Sequence, residues 1–357
     1  MQHLIYDSKV LEQSWSDCSI APIHSVKSKN GIPLLKENSI NMFINMPCPL
    51  KVSTRECLEN FVPSFNQTSK LPFYSPSLYD GQTKDIEGEL KNAEHEDEIP
   101  EVLLASGLHT VFSKDFKERF IDTRIYVPAV PQSVINKMSR YYQKLVTEKN
   151  IGIVAFGFWS IVCDLSMKIN VPYPKQWIDL VNPVYKGLIS VHGYHGKASI
   201  AALLLILKER LGEQAISDLG KNIRNIWHFA EILKRIDTDD PRKTPFNLLP
   251  NAASVHLPSR KHAAMLEFEE GPLLAPMMMY VKASKAKVCQ PIIDFVFSDK
   301  MRKNLHSGDF YLADELDWNK NYCFPDWNYL MKYDYDDICG MVNSILYENI
   351  DKDVFND

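Results

Sequence analysis

Residues 171–199 read VPYPKQWIDLVNPVYKGLISVHGYHGKAS. Prolines, a Trp and a Tyr precede a short apolar run, and two histidines then stand among glycines ahead of KASIAALLLILKERLG, a strongly apolar helix pattern. Trp177 and Leu180 suit a short helix packed on a sheet. Pro183 stops that helix, because the residue before a proline disfavours helical angles. Gly187 lets the chain turn into the strand ISV. Most of the stretch therefore reads as scaffold, and its end, VHGYHG, as a strand feeding a helix.

Working outward, strand and helix patterns alternate. INMFINM (40–46) reads as a buried strand, PCPLK as a turn, and STRECLENFVPSF as a helix capped by Ser53 or Thr54. LPFYSPS (71–77) and EVLLASG (101–107) are further strands, and LHTVFSKDFKERFID is an amphipathic helix. IGIVAFGFWSIVCDL (151–165) is long enough to cross between two lobes. MLEFEEGPLLAPMMMYVKASK (265–285) is a second extended apolar run, with Pro276 predicting a break or an edge position. The acidic segment 80–98 suits a solvated surface, and residues 1–38 read as an N-terminal extension. This rhythm argues a parallel α/β sheet.

With 357 residues, 45% of them hydrophobic, the chain can bury two cores. The net charge is -5 and no basic run is interleaved with aromatics, so nucleic acid is not an expected partner. The start MQHLIYDSKVLEQSWSDCSI lacks the basic, apolar and small-residue sections of a secretory signal. Seven cysteines without a CxxC add to the expectation of a reduced, cytosolic protein.

The order of segments resembles a known family. Pro174, Trp177, Asp179, Leu180, Pro183, Tyr185, Lys186, Gly187 and Ile189 follow the P-x-x-W-x-D-L-x-x-P-x-Y-K-G-x-I pattern of extracellular solute-binding proteins of ABC transporters, in the branch that includes iron and polyamine binders. FEEGPLLAPMMMYVKAS followed by IIDFVFSD is similar to that family's closing segment. The resemblance covers about 40–345. It implies a two-lobe periplasmic-binding-protein-like α/β fold with an interlobe cleft and hinge strands. Lobe 1 would take 39–150 and 270–357, the latter including the C-terminal helices, and lobe 2 would take 151–269. Hinges would fall near 151–156 and 264–271. The family is normally exported, and the expected cytosolic location departs from that pattern; the alternative expectation is a periplasmic or cell-surface location, if the N-terminus was trimmed.

In such a fold the cleft is lined by strand ends and helix N-termini, where backbone N–H groups favour electron-rich ligands. The expected ligand-binding residues are Cys48, Tyr74, Ser75, Ser106, Gly107, Trp159, Tyr194, His195, Gly196 and Asn251. Cys48, between two prolines, would be held in a stiff extended turn. Gly107, Gly193 and Gly196 would let backbone approach a ligand. His192 and His195 lack a third partner, HExxH or CxxC, and the stretch is no Walker loop, so neither a metal nor a cofactor is expected. Iron binders of the family use paired tyrosines from lobe two. Tyr141 and Tyr142 lie before the lobe crossing and do not carry over. Met277–Met279 suit core.

The leading expectation is a monomeric, non-catalytic binder that closes around a small polar or anionic solute, with an ABC transporter permease as a second partner, or a cytosolic carrier or sensor on the same fold. Two alternatives stay open: an enzyme using Cys48 as nucleophile, and an effector-binding regulatory module.

Overall fold

The computed structural model describes residues 35–75, 87, 90–108, 111–194, 197–253, 257 and 261–351. His109, His195 and Gly196, most of the N-terminal extension and much of the acidic segment lie outside the described residues.

β1 (Ile40–Asn45) lies between β2 (Phe73–Tyr74) and β3 (Val102–Ser106) and runs parallel to both. Such strands are covered on both faces and need continuous apolar runs, as INMFIN and VLLAS supply. α1 (Cys48–Thr68) starts ahead of the Ser53 or Thr54 cap that its sequence signals suggest. Pro47 is its N-cap and Pro49 lies in its first turn, where a missing N–H costs nothing. PCPLK is therefore the opening of a helix, and Cys48 is held in helical rather than extended backbone.

The long apolar run forms β5 (Ile153–Asp164). Its first part pairs with β11 (Leu273–Lys282) and with β12 (Phe310–Leu312). Its second part pairs with β9 (Phe246–Pro250) and β10 (Ala263–Met265). The exchange of partners falls at Trp159, opposite both Leu273 and Pro250. β10 and β11 retrace β5 in the antiparallel sense, so two runs of chain join the halves of one curled sheet. Pro276 causes no break. It sits in β11 just before the pairing with β3 begins at Met277, followed by a bulge at Met277/Met278, which is an edge position on that side.

Beyond β9 the second half continues through β6 (Ile189–Tyr194) to β8 (Ile223–Trp227), in parallel pairs. β4 (Tyr126–Pro128) adds to β11. α2 (Arg140–Thr147) precedes β5; α3 (Ala201–Leu211) and α4 (Glu213–Asn222) connect β6 to β8; α5 (Phe229–Arg235) connects β8 to β9. α6 (Ala286–Val296) and α7 (Asp299–Ser307) pack with α1 on the first half, in a core containing Leu50, Leu58, Ile292 and Leu305. Leu203–Leu207 of α3 are all buried, because α8 (Tyr335–Asn349) covers the side of α3 and α4 away from the sheet. α8 is fixed there by Asn349 Nδ2 donating to Ser217 Oγ at 3.3 Å and by the Ala198 N–H donating to the Tyr347 hydroxyl at 2.8 Å.

The quoted signature is scaffold. Trp177 is buried in a short 3-10 turn, with its Nε1 donating to the Gly271 carbonyl at 3.0 Å. The Asp179 carboxylate accepts from the Lys175 and Gln176 backbone. Asn222 Nδ2 donates to the carbonyls of Leu180 and Asn182, and Tyr185 is buried edge-on to Phe246. Gly187 adopts φ +70°, the left-handed value its turn requires.

Candidate functional site

Three groups of residues stand on strands and loops that pair with or follow partners of β5 near its exchange point. The first comes from the C-terminal ends of β1 and β3. Asn45 stands opposite Ala105, and its Nδ2 donates to Glu87 Oε1 at 2.6 Å. Ser106 faces Met277. Gly107 adopts φ +92°, donates its N–H to the Pro276 carbonyl at 3.0 Å, and has open space where a Cβ would lie. Cys48 follows at the first position of α1; it is exposed and in no disulfide.

The second group comes from β5, β6, β8 and β9. The Trp159 ring lies 5.7 Å from the His192 imidazole, which lies 5.2 Å from that of His228. Tyr194, 55% exposed, ends β6 with its ring 6.5 Å from His228. Asn251 directly follows Pro250, the partner of Trp159. The Phe229 N–H donates to His192 Nδ1 at 3.0 Å, which fixes the neutral ring with its proton on Nε2. Burial chiefly, and the neighbouring His228, lower the His192 pKa to about 4. Burial also lowers that of His228. Both rings act as neutral, polarisable walls at pH 7.

The third group, absent from the sequence-based set, is HSGDFYL (306–312). Gly308 lies so close to Leu50 of α1 that an added Cβ would come within 2.6 Å of that side chain. This contact sets Asp309 beside the start of α1, in the left-handed region at φ 57°. The Tyr311 hydroxyl donates to Asp309 Oδ1 at 3.0 Å, and the Asn251 side chain is hydrogen-bonded to the same carboxylate. Burial raises the Asp309 pKa, with those two bonds and His306 opposing it. Asn251 thus spends its amide on Asp309, and its buried Oδ1 has no partner among the described residues. The sequence signal was a Gly-Asp pair between an amphipathic helix and an alternating FYL strand.

The structure therefore brings Trp159, Tyr194 and Asn251 to one wall, and places Ser106, Gly107 and Cys48 at strand and helix ends in the other half. Tyr74 stands apart from them. It pairs with Asn41 near the opposite end of β1, with the Lys36 ammonium 6.0 Å from its ring centre. Ser75 is buried, and its Oγ has no partner among the described residues. The strand expected to feed a helix directly first pairs with a short antiparallel partner: β6 with β7 (Lys197–Ala198), Gly193 opposite Ala198. Gly193 serves packing rather than ligand approach, since a Cβ there would sit 2.3 Å from Ile226 Cγ2 and 2.4 Å from the Lys197 carbonyl oxygen. Among the described residues no three His, Cys, Asp or Glu side chains converge as metal ligands, and no helix is long and apolar enough to cross a membrane.

Residues 97–333 match the family model described as bacterial extracellular solute-binding protein. The chain belongs to this family. It is a solute-binding protein with the two-lobe α/β fold of such binders. The family's description as extracellular gives no support to the expected cytosolic location. Solved structures agree in fold. A Trichodesmium protein (IdiA, FutA) in complex with iron and citrate aligns with a TM-score of 0.60 at 13% identity, over 87% of this chain and 99% of that one. The ferric binding protein from Campylobacter jejuni aligns with a TM-score of 0.60 at 9% identity, over 85% and 98%. The spermidine/putrescine ABC transporter substrate-binding protein PotD from Streptococcus pneumoniae aligns with a TM-score of 0.50 at 12% identity, over 86% and 97%. No curated protein matches.

Proposed function

We propose that this chain binds a small polar solute in the gap between the two halves of the sheet and delivers it, outside the cytoplasm, to an ABC transporter permease. In this reading the lobes are 39–150 with 270–357, and 151–269, except that residues 153–158 pair with β11 and β12 and stay with the first lobe; α8 is strapped back across the second lobe. The hinge lies where β5 exchanges partners at Trp159 and where the chain passes from β10 to β11. Trp159, Tyr194 and Asn251 face Cys48, Ser106 and Gly107 across the gap, with Asp309 and Tyr311 at its floor. His195 and Gly196, which follow Tyr194 in the chain, stay in the proposed set on their sequence position alone.

One observation carries the reading. The Asn251–Asp309 contact joins a loop of one half to a loop of the other beside the exchange point, and leaves a buried acceptor, Asn251 Oδ1, unpartnered among the described residues. A buried polar atom of this kind costs about 1–3 kcal/mol unless something bonds to it. A solute with a donor suits Asn251 Oδ1 and Asp309. An acidic or other acceptor group on the same solute suits the first turn of α1, whose N-cap Pro47 offers no side-chain bond.

Native mass spectrometry of freshly purified protein tests the reading first, by the mass of the retained solute. Titration of that solute into Trp159→Ala and Asn251→Ala follows. Each is expected to weaken binding by roughly ten- to a hundredfold, the loss of about 1.5–3 kcal/mol. Wild-type affinity in both variants would remove the site from this gap.

A further inference from the structure

A cavity of about 420 Å³ opens between α2, the C-terminal turn of α3 and the segment 322–327. It shares no residue with the solute gap. Its walls are aromatic: Tyr141, Tyr142, Tyr322, Phe324 and Trp327. Tyr141 and Tyr142 meet edge to face, with centres 5.4 Å apart and planes at 87°, forming a corner. Phe324 and Trp327 form another pair, 4.9 Å apart. Tyr322 is held by stacking on Phe158 of β5 at 5.9 Å.

The charges at this cavity are acidic on balance. Glu209 and Asp326 both line it. Each carboxylate is fixed: Asp326 Oδ1 accepts from the Asn328 and Tyr329 backbone, and Glu209 Oε2 accepts from the Asp326 N–H at 3.2 Å. Arg210 also lines the cavity, but its guanidinium is paired with Glu270 outside it. Burial and Asp326 raise the Tyr141 pKa, so the phenol stays neutral and adds no charge of its own.

We infer that this cavity is a second binding site, for an organic ammonium cation. Aromatic faces attract a weakly hydrated cation through their quadrupoles, and two fixed carboxylates add Coulombic attraction without any change of conformation. A neutral molecule of the same shape gains only the apolar contact. Because α2 belongs to the first half of the sheet and α3 to the second, a bound cation bridges the two halves on elements that the solute gap does not use.

Tetramethylammonium chloride, titrated by NMR at constant ionic strength, tests the inference, with tert-butanol as an uncharged probe of similar size. Saturable binding of the cation in the millimolar range is expected, at least roughly fivefold tighter than tert-butanol. Asp326→Asn keeps the backbone cap and Glu209→Gln keeps the shape. Together they are expected to weaken the cation roughly tenfold and leave tert-butanol unchanged. Tyr141→Ala, at an exposed position, is expected to weaken it by a similar factor. Trp159→Ala in the gap is expected to leave it unchanged. Absence of saturation, equal affinity for tert-butanol, unchanged binding in both the carboxylate and Tyr141 variants, or loss of binding in Trp159→Ala overturns the inference.

Discussion

Gly193 separates two readings of VHGYHG: backbone opened for a ligand, or backbone closed for packing. Gly193→Ala puts a methyl 2.3 Å from Ile226 Cγ2 and 2.4 Å from the Lys197 carbonyl oxygen. Carbon contacts are comfortable near 3.5–4.0 Å, so neighbours must give by more than an ångström. Ile226 is 5% exposed and belongs to the main core, and Lys197 is the pairing partner of Tyr194 in the hairpin. Neither can yield without moving β8 or opening β7. Overpacking of this kind costs about 1–3 kcal/mol. At about 2–4 °C per kcal/mol for a unit of 150–250 residues, Tm should fall by roughly 2–12 °C. Differential scanning calorimetry of the solute-free protein reads this directly. Gly340→Ala is the control: Gly340 lies in α8 with nothing within 4 Å of its added Cβ, and the change should raise stability by about 0.5–1 kcal/mol. A Gly193→Ala protein with unchanged Tm and abolished solute binding would refute the packing argument and restore the ligand-approach reading.

Three further outcomes follow from the titrating groups and the glycine turns. The His192 pKa of about 4 lies below the ordinary 6.5, so the folded state binds this proton less readily than the unfolded chain. Its contribution is complete above pH 6.5 and is lost as pH falls towards 4, on the order of 3 kcal/mol in all. His192→Asn, whose Oδ1 can replace Nδ1 as acceptor for Phe229 N–H, should therefore show a shallower loss of Tm between pH 7 and 4.5; an unchanged slope would contradict the assignment. Asp309 has a raised pKa, so its ionisation in the folded state costs stability as pH rises through its window. Asp309→Asn should accordingly gain Tm relative to wild type between pH 4 and 7 while losing solute affinity, both readable in one thermal-shift series. Gly107→Ala meets no steric contact but must hold φ +92°, which costs about 1–2 kcal/mol in an L-residue; a drop in Tm of roughly 2–8 °C is expected.

The solute-binding fold was legible in local sequence because its signals are local. An unbroken apolar run such as 151–165 is a strand whatever surrounds it, and the Trp177–Ile189 pattern closes its own hydrogen bonds within a few residues and against β11's approach. The start of α1 lies ahead of its Ser and Thr capping signals because Pro47 and Pro49 tolerate a helix start without any side-chain bond. The packing role of Gly193 is not legible in the sequence because its neighbours, Ile226 on β8 and Lys197 on β7, are brought to it by strand pairing.

The candidate site divides in the same way. Tyr194, Asn251, Ser106 and Gly107 could be named because each stands at or beside the end of a strand, and strand ends are readable from apolar runs and turn residues; Trp159 could be named because it lies in the long run that crosses between the halves. Asp309 could not, since its half-buried carboxylate depends on Gly308 packing on Leu50, far away in the chain, and on Asn251 reaching it from the other half. The apolar periods in the sequence by themselves determined which segments become strands and helices and in what order. Which polar groups lose their water, and which find one another, was decided only when the sheet exchanged partners at Trp159, because desolvation and hydrogen bonding act over a few ångströms between chain segments that sequence order leaves far apart.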